Sequence, residues 1–223
     1  MDYKLELFLN LNKLFKDNGF QLYLVGGTVR DFLLGEELTD MDAVTDATPE
    51  EMKRFLSDAN YTFERFGSVS IKQDKKVKFD ITTMREETSY LDSRHPSKIK
   101  FVKDLSIDVK RRDFTINALY LDEDLKVIDF VDGQKDLESK TLKMIGDPNV
   151  RLKEDPLRIV RAIRFASDYQ LSFDKELEVA IKNNVNELNN LNPDKITQDL
   201  NKCNPESKSI VLKYLQDFNI KLK

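Results

Sequence analysis

A short apolar run that ends at two glycines constrains the fold of this chain more than any other feature. Leu22–Val25 is typical of a buried strand, Gly26 and Gly27 follow it, and residues 29–34 have the spacing of an amphipathic helix. A strand that turns into a helix at paired glycines points several backbone N–H groups at one place and lets an anion approach the chain closely. The pattern therefore predicts a phosphate-binding turn.

Two aspartates follow this turn in the segment TDMDAVTD. Side chains alternate along a strand, so we expect Asp40 and Asp42 to lie on one face. Adjacent carboxylates repel each other unless a cation lies between them, and oxygen ligands beside a triphosphate favour Mg²⁺. Alone, paired glycines are more often a tight turn and D-x-D a solvated strand edge. Together they predict nucleotidyl transfer assisted by two magnesium ions at Asp40 and Asp42.

Length and composition indicate a globular chain. Its 223 residues can form one large domain or a domain with an appendage, and 40% hydrophobic residues suffice for a core. No apolar run approaches a membrane span and the N-terminus shows no export signal, so we expect no membrane contact and a cytoplasmic location. Cys203 is the single cysteine and cannot form an internal disulfide. A net charge of −4 argues against indiscriminate nucleic-acid binding, but it does not decide the partner or the oligomeric state.

Hydrophobic spacing predicts mixed helices and strands first and helices alone afterwards. The first helix covers residues 3–18, and another begins at Thr48-Pro49. Besides 22–25 and the aspartate strand, the predicted strands are 61–66, 69–73, 77–83, 100–102, 119–121 and 126–129. The last helices are centred on 177–181, 196–200 and 209–218. This order predicts an α+β domain followed by an all-α domain.

Three further charged residues lie in candidate positions. Asp80 falls among apolar neighbours in the strand 77–83, where a carboxylate costs free energy unless it is hydrogen-bonded, for example by Thr82, or faces a metal. Arg111 and Arg112 lie beside a predicted helix end, and guanidinium binds phosphate through a bidentate fork. Arg112 is the first candidate for nucleotide contact and Arg111 the second, although a bare Arg-Arg pair is usually a solvated surface feature.

Residues 154–166, EDPLRIVRAIRFA, begin with acids and a proline, which is typical of a helix start. At about 3.6 residues per turn, Arg158, Arg161 and Arg164 fall on one side of this helix, opposite an apolar face. A solvated basic stripe would give the same pattern. However, a carboxylate beside a guanidinium matches the donors and acceptors of cytosine and of adenine and mismatches uracil and guanine. Asp155 and Arg158 are therefore candidates for selecting CTP and ATP.

Taken together, these motifs resemble a known enzyme family. The segments LVGGTVRDFLLG and TDMDAVTDATPEEM resemble the head of the DNA polymerase beta-like nucleotidyltransferases. More narrowly, with RRDFTINA and EDPLR, the chain resembles class II tRNA nucleotidyltransferases, which are the CCA-adding enzymes, and their sister poly(A) polymerases. The resemblance is strong over most of residues 20–170 and loose beyond them.

The resemblance implies an α+β nucleotidyltransferase head with a mixed sheet at residues 1–145 and an all-α neck at 146–223. It implies that DITTMR places Asp80 beside the aspartate pair and that residues 86–97 form a flexible loop that moves between C and A addition. It also implies that body and tail domains, which grip tRNA, are absent from this chain. The nucleotide-binding residues that it implies are Gly26, Gly27, Arg30, Arg111, Arg112, Asp155, Arg158, Arg161 and Arg164.

The expected function is template-independent addition of C and A to tRNA 3′ ends from CTP and ATP, with Mg²⁺ at Asp40 and Asp42 and with Asp80 as a third catalytic residue. One alternative is an A-adding enzyme or a poly(A) polymerase, because RRDFTINA and EDPLR do not separate these activities. Another is a nucleotide-binding module that has lost catalysis. The intact aspartates argue against the second alternative, since a binding protein needs no paired metal carboxylates.

Overall fold

The structure is a computed structural model that describes residues 2–74, 76–90 and 96–220. The chain forms two compact units. The first contains Met1–Glu87, Lys98–Arg112 and Ile116–Gly133, and the second contains Thr88–Ser97, Asp113–Thr115 and Gln134–Lys223. Residues 134–145 belong to the second unit in the structure. The predicted domain boundary between residues 145 and 146 stays a prediction.

The first part of the chain alternates helices and strands, as its hydrophobic spacing predicts. In chain order the elements are α1 (Tyr3–Asp17), β1 (Leu22–Val25), α2 (Gly27–Leu34), β2 (Met41–Thr45), α3 (Pro49–Met52), β3 (Ser68–Gln73), β4 (Val77–Thr83), β5 (Arg85–Tyr90), β6 (Pro96–Phe101), α4 (Leu105–Asp108), β7 (Tyr120–Leu121) and β8 (Val127–Ile128). Short 3₁₀ helices lie at Glu64–Phe66, Val109–Arg111 and Thr115–Asn117.

The remainder is mostly helical, as expected. Its elements are α5 (Gly133–Glu138), β9 (Thr141–Leu142), α6 (Pro148–Glu154), α7 (Leu157–Asp168), β10 (Ser172–Phe173), α8 (Lys175–Asn184), α9 (Pro193–Leu200) and α10 (Lys208–Asp217). Sequence spacing missed β9 and β10, which pair in parallel. Strands of two residues are too short to show a period. None of the helices in the described part of the chain combines the length and apolar character that a membrane crossing requires.

A six-stranded mixed sheet in the order β3-β4-β2-β1-β7-β8 organises the first unit. Strands β2 and β4 run parallel, and the other neighbouring pairs are antiparallel. This sheet confirms the predicted α+β class. The parallel register sets Met41 opposite Phe79 and Asp42 opposite Asp80. Because side chains alternate, the first pair joins the core while the second faces away from it.

Helix α1 covers the sheet with an apolar stripe of Leu5, Phe8, Leu11 and Phe15, all buried. The stripe has helical spacing, which is why the sequence predicts the helix well. The buried Asn12 amide donates to the backbone carbonyl of Leu22 at 2.7 Å. This bond satisfies a polar group that would otherwise be costly inside the core, and it attaches the helix to β1.

Three predicted elements were wrong. Residues 61–66 form a turn and the 3₁₀ helix Glu64–Phe66 instead of a strand. The predicted loop 86–97 is largely strand, in β5 and β6, while residues 91–95 lie outside the described residues. The predicted helix 154–166 is divided, because Asp155 has an extended backbone between α6 and α7. A residue before proline is sterically disfavoured in the helical conformation, which explains the break at Asp155-Pro156.

Replacing Phe79 with alanine tests the placement of the core. Its ring is 0% exposed in β4, which lies between β3 and β2 in the sheet. Phe79→Ala should therefore lower the free energy of unfolding by about 3–5 kcal/mol through the cavity it leaves. Phe63 is 62% exposed, so the matched control Phe63→Ala should change it by less than about 0.5 kcal/mol. Urea denaturation followed by far-ultraviolet circular dichroism measures both. Similar losses in the two variants would contradict this assignment of the core.

Candidate functional site

The paired glycines form the turn between β1 and α2. Gly26 has a φ of +71°, a left-handed conformation that favours glycine. Its N–H donates to the carbonyl of Leu119 at 3.2 Å, so this donor is used inside the sheet rather than for an anion. No side chain of the described residues caps α2. The first-turn N–H groups of Gly27 and Thr28 are therefore the better placed donors for a phosphate.

Arg30 is buried instead of extending into solvent. Its Nε and Nη2 donate to one carboxylate oxygen of Asp31 at 2.9 and 2.8 Å, and its Nη1 donates to the side-chain carbonyl of Asn117. A Cβ on Gly27 would lie 3.3 Å from Arg30 Nη2, so the glycine allows this close approach. Arg30 thus supports the turn from beneath, and a direct phosphate contact through it stays a prediction.

Thr28 positions the two aspartates. Its hydroxyl donates to the carbonyl of Asp40 at 2.9 Å and accepts from the N–H of Asp42 at 2.9 Å. Asp40 lies just before β2 and Asp42 within it, and both residues are exposed. One buried hydroxyl therefore attaches the aspartate segment to the first turn of α2. The sequence analysis missed Thr28, although its position directly after the glycines was a usable signal.

Asp80 lies beside Asp42 in the parallel register of β2 and β4. It is exposed, and one of its carboxylate oxygens is 2.8 Å from Lys78 Nζ. The prediction that Asp80 lies among apolar neighbours was therefore wrong, because its neighbours Phe79 and Ile81 point to the opposite face of the sheet. The prediction that Asp80 lies close to the aspartate pair agrees with this register.

The clustered carboxylates change the acidity of Asp42. Loss of hydration, followed by the negative charges of Asp80 and Asp40, raises the pKa of Asp42 to about 6, while Arg112 and Lys78 oppose the rise. Solvent still reaches the residue, so screening weakens these effects and a cation can approach. A group with this raised pKa gains from a bound cation that stabilises its charged form.

The donor set fits a hard divalent cation that a substrate helps to hold. Within the described residues, no three His, Cys, Asp or Glu side chains converge closely enough to bind a metal unaided. Mg²⁺ is commonly held by one or two carboxylates, with water and substrate phosphates completing its octahedron. Asp40 and Asp42 supply carboxylates of this kind, and Thr28 attaches them to the glycine turn.

Arg111 and Arg112 are both held by one buried carboxylate that the sequence analysis missed. Arg111 Nε and Arg112 Nη2 lie 2.8 and 2.9 Å from the two oxygens of Asp108, which is 0% exposed. Burial alone would raise the pKa of the Asp108 carboxyl, but the charges of Arg112 and Arg111 hold it well below its usual range. Asp108 is therefore ionised at neutral pH and fixes both guanidinium groups.

The base-selecting candidates lie in the second unit, around the start of α7. Asp155 accepts a hydrogen bond from the N–H of Leu157 at 3.1 Å. Arg158 is only 6% exposed, and its Nη1 lies 2.7 Å from the carbonyl of Arg151 and 3.3 Å from Glu154. The sequence analysis expected a helix face that presents arginine donors to a ligand. At Arg158 some of these donors are already used within the protein, because a buried guanidinium requires hydrogen-bond acceptors.

Arg161 and Arg164 are each held by a carboxylate from another element of the second unit. Arg161 Nε donates to Asp113 at 2.8 Å, and Arg164 Nε donates to Asp199 on α9 at 2.8 Å. Both guanidinium groups also lie over the ring of Phe165, at 5.2 and 4.3 Å from its centroid. The arginines are therefore fixed in orientation. Sequence spacing could not reveal Asp199, which is 35 positions away from Arg164.

Comparisons with known proteins agree with the motifs. The family model described as the Poly A polymerase head domain matches residues 22–143. The CCA-adding enzyme of Listeria innocua is 39% identical over 179 residues, covering 80% of this chain and 45% of that enzyme. These matches confirm the family resemblance that the glycine, aspartate and arginine motifs indicate.

Solved structures share the fold. The crystal structure of the Bacillus stearothermophilus CCA-adding enzyme in complex with CTP has a TM-score of 0.81 at 30% identity, covering 90% of this chain and 48% of that one. The Thermotoga maritima CCA-adding enzyme complexed with tRNA-CCA has a TM-score of 0.77 at 27% identity, covering 99% of this chain and 52% of that one. The chain thus spans about half the length of these relatives.

Asp42→Asn tests the raised pKa in protein kept free of metal with EDTA. The Asp42 carboxyl has an ordinary pKa of 3.8 and a folded-state pKa of about 6, so the folded protein binds this proton more tightly than the unfolded chain does. The contribution of Asp42 to the free energy of unfolding of the parent should therefore fall as pH rises from about 4 to about 6. Asparagine carries no charge, so the variant should be more stable than the parent above about pH 6, with no difference near pH 4.

Urea denaturation at a series of pH values measures this difference. Asp124→Asn is the control, because Asp124 is exposed and pairs only with the exposed Lys126 among the contacts described. Its effect should be small at every pH. A stability gain from Asp42→Asn that grew toward low pH would contradict the assigned shift.

Proposed function

The chain belongs to the poly A polymerase head domain family, and we propose that it is a nucleotidyltransferase that adds C and A to the 3′ end of tRNA from CTP and ATP. In this reaction the RNA 3′-hydroxyl oxygen bonds to the α-phosphorus of the nucleotide, and the bond to pyrophosphate breaks. The relatives are named as CCA-adding enzymes, and solved relatives are described in complex with CTP or with tRNA-CCA.

The observation that carries this proposal is the link between the glycine turn and the aspartates through Thr28. Thr28 lies in the first turn of α2, and its hydroxyl forms hydrogen bonds with the backbone of Asp40 and of Asp42. Donors for a phosphate and acceptors for a cation are thus held by the same short segment. That combination suits a magnesium triphosphate better than either ligand alone.

Asp40 and Asp42 would hold Mg²⁺, and Asp80 lies next to Asp42 as a third catalytic candidate. Bound magnesium supplies charge neutralisation for the triphosphate and lowers the barrier to attack by the hydroxyl. Lys78 pairs with Asp80, which limits the repulsion among these carboxylates before a nucleotide binds. Asp80 in turn is suited to orient the attacking RNA end.

The triphosphate would contact the N–H groups at the start of α2 and the guanidinium groups of Arg111 and Arg112. Helix N-termini and guanidinium groups are both strong partners for phosphate oxygens. Gly26 contributes its backbone conformation, Gly27 its lack of a side chain, and Arg30 its support beneath the turn. These roles follow from the backbone conformation of Gly26, the close approach of Arg30 to Gly27 and the hydrogen bonds of Arg30.

Residues of the second unit would select the base of the incoming nucleotide. Asp155 offers acceptor oxygens for the exocyclic amino group that cytosine and adenine share, and Arg158 offers donors for the neighbouring ring nitrogen. Arg161 and Arg164, fixed by Asp113 and Asp199, would complete the contacts. Uracil and guanine would leave buried polar groups unpaired, which is how polar sites reject a wrong base.

An A-adding enzyme or a poly(A) polymerase is the second candidate, because the matching family model is described as a poly A polymerase head domain. Both candidates require the same carboxylates and triphosphate contacts. They differ in whether CTP is used at all. A cytoplasmic location stays a prediction, and the oligomeric state stays open.

The test is incubation of the purified chain and Mg²⁺ with tRNA that lacks its 3′-terminal CCA. Labelled CTP alone, ATP alone and both together distinguish the candidates. We expect addition of C from CTP alone and completion to CCA when both are present. Addition of A without C would favour the second candidate, and no addition under any condition would overturn the proposed transfer.

Replacing either Asp40 or Asp42 with alanine should abolish transfer without unfolding the chain, because both residues are exposed and outside the core. We expect turnover below about 1% of the parent, since a metal ligand acts in the transition state. The control Asp124→Ala removes an exposed carboxylate elsewhere in the first unit and should retain normal turnover. Substantial activity in either metal-site variant would remove the assignment of Asp40 and Asp42 to the metal.

Replacing Asp155 with alanine should change base choice more than triphosphate binding. Loss of the acceptor should narrow the discrimination of CTP against UTP by about 1–3 kcal/mol. Arg158→Ala should impair incorporation of both correct nucleotides. The measurement is kcat/KM for each of the four nucleotides, with the inhibition constant of pyrophosphate as the control. A uniform loss of rate with unchanged ratios would mean that these residues only support the fold.

A further inference from the structure

Asp108 is a fully buried carboxylate, and both of its oxygens accept hydrogen bonds. Its Oδ1 accepts from Arg111 Nε at 2.8 Å and from the backbone N–H of Arg85 at 3.1 Å. Its Oδ2 accepts from Arg112 Nη2 at 2.9 Å and from the hydroxyl of Tyr120 at 3.0 Å. One carboxylate therefore joins the arginine pair to the start of β5 and to β7.

Tyr120 carries this connection to the glycine turn. Its hydroxyl accepts from Arg112 Nε at 3.1 Å while it donates to Asp108. In the sheet, Tyr120 pairs with Val25, the last residue before Gly26. The ring of Tyr120 is 0% exposed and lies 5.2 Å from the guanidinium carbon of Arg112. Arg112 is thus held by an ionic, a hydrogen-bonded and an aromatic contact at once.

A fully buried carboxylate is a poor way to increase the free energy of unfolding. Removing a carboxylate from water costs several kcal/mol, and buried ion pairs are often replaceable by apolar residues without loss of stability. What such a carboxylate does supply is geometry. Two bonds from Nε and Nη2 fix the plane of a guanidinium, because its donors form a rigid fork.

Arg112 is connected to the glycine turn through Tyr120. The hydroxyl of Tyr120 accepts from Arg112 Nε, and the backbone of Tyr120 pairs with Val25, directly before Gly26. Arg111 lies 3.9 Å from a second carboxylate, Glu87 in β5. The two arginines therefore share Asp108 but differ in their other described contacts.

From this geometry we propose that Asp108 is a positioning residue that sets the guanidinium groups of Arg111 and Arg112 for the triphosphate of the incoming nucleotide. The inference rests on the proposed function, because it takes the triphosphate as the ligand. Asp108 acts through the arginines and contacts no reacting atom. Without it, Arg112 would keep its charge but lose the bonds that define its plane.

The test compares Asp108→Asn and Tyr120→Phe with the parent chain. Asparagine keeps the shape of the side chain and removes its charge, while phenylalanine removes only the hydroxyl. We expect Asp108→Asn to raise KM for CTP and for ATP by about tenfold or more, with a smaller fall in kcat. Tyr120→Phe should raise KM in the same direction by about threefold, since Asp108 itself remains.

Calorimetric titration with inorganic pyrophosphate and Mg²⁺ supplies a readout that does not need turnover. Affinity for pyrophosphate should fall in both variants in the same order as KM rises. Asp168→Asn is the control, because Asp168 is a partly buried carboxylate of the second unit that accepts from Cys203 Sγ and from the N–H of Asn204. It should leave pyrophosphate affinity unchanged. Tyr120→Phe keeps the test decisive if Asp108→Asn does not fold.

Two outcomes would overturn the inference. In one, Asp108→Asn and Tyr120→Phe lower the free energy of unfolding but leave KM and pyrophosphate affinity at parental values, so Asp108 is only structural. In the other, the control Asp168→Asn weakens pyrophosphate binding equally, so the effect is general. A parent chain that binds pyrophosphate but transfers no nucleotide would instead count against the proposed function, and the binding comparison would still decide the role of Asp108.

Discussion

The parallel pairing of β2 and β4 is the constraint on which the candidate site depends. It holds Asp42 opposite Asp80, although two neighbouring carboxylates repel each other. The same register places Met41 beside Phe79 in the core. A slip of one residue would move those apolar side chains to solvent, so the free energy of the core maintains an arrangement that the charges oppose. A bound cation would relieve this repulsion.

A second constraint is that cations buried in the protein need acceptors. Several arginines of the predicted nucleotide-binding motifs are already bound to carboxylates of the same unit. The pairs are Arg30 with Asp31, Arg111 and Arg112 with Asp108, Arg158 with Glu154, Arg161 with Asp113, and Arg164 with Asp199. These bonds limit the motion of long side chains, so less conformational entropy would be lost on binding a nucleotide.

Sequence spacing predicted the elements whose burial follows one period. Helix α1 and the strands β1, β3 and β4 were predicted within one residue at either end, because one apolar face of each packs on the core. The strand predicted at residues 61–66 was wrong. Their aromatic side chains favour a strand, but local hydrogen bonds hold the backbone in turns. Acids and a proline at 154–156 predicted the start of one helix, whereas α6 ends at Glu154 and α7 begins at Leu157, after the extended Asp155 that Pro156 requires.

The sequence by itself provided a glycine turn, paired aspartates and arginine-rich motifs, in an order that indicates the family and predicts triphosphate substrates. Only the tertiary structure decided how those groups are held. Thr28 fixing the aspartates, Asp108 joining two arginines to Tyr120, and Asp199 holding Arg164 all depend on partners that the fold brings together. Local periodicity reports which face of an element is buried, but it contains no information about which distant side chain completes a hydrogen bond.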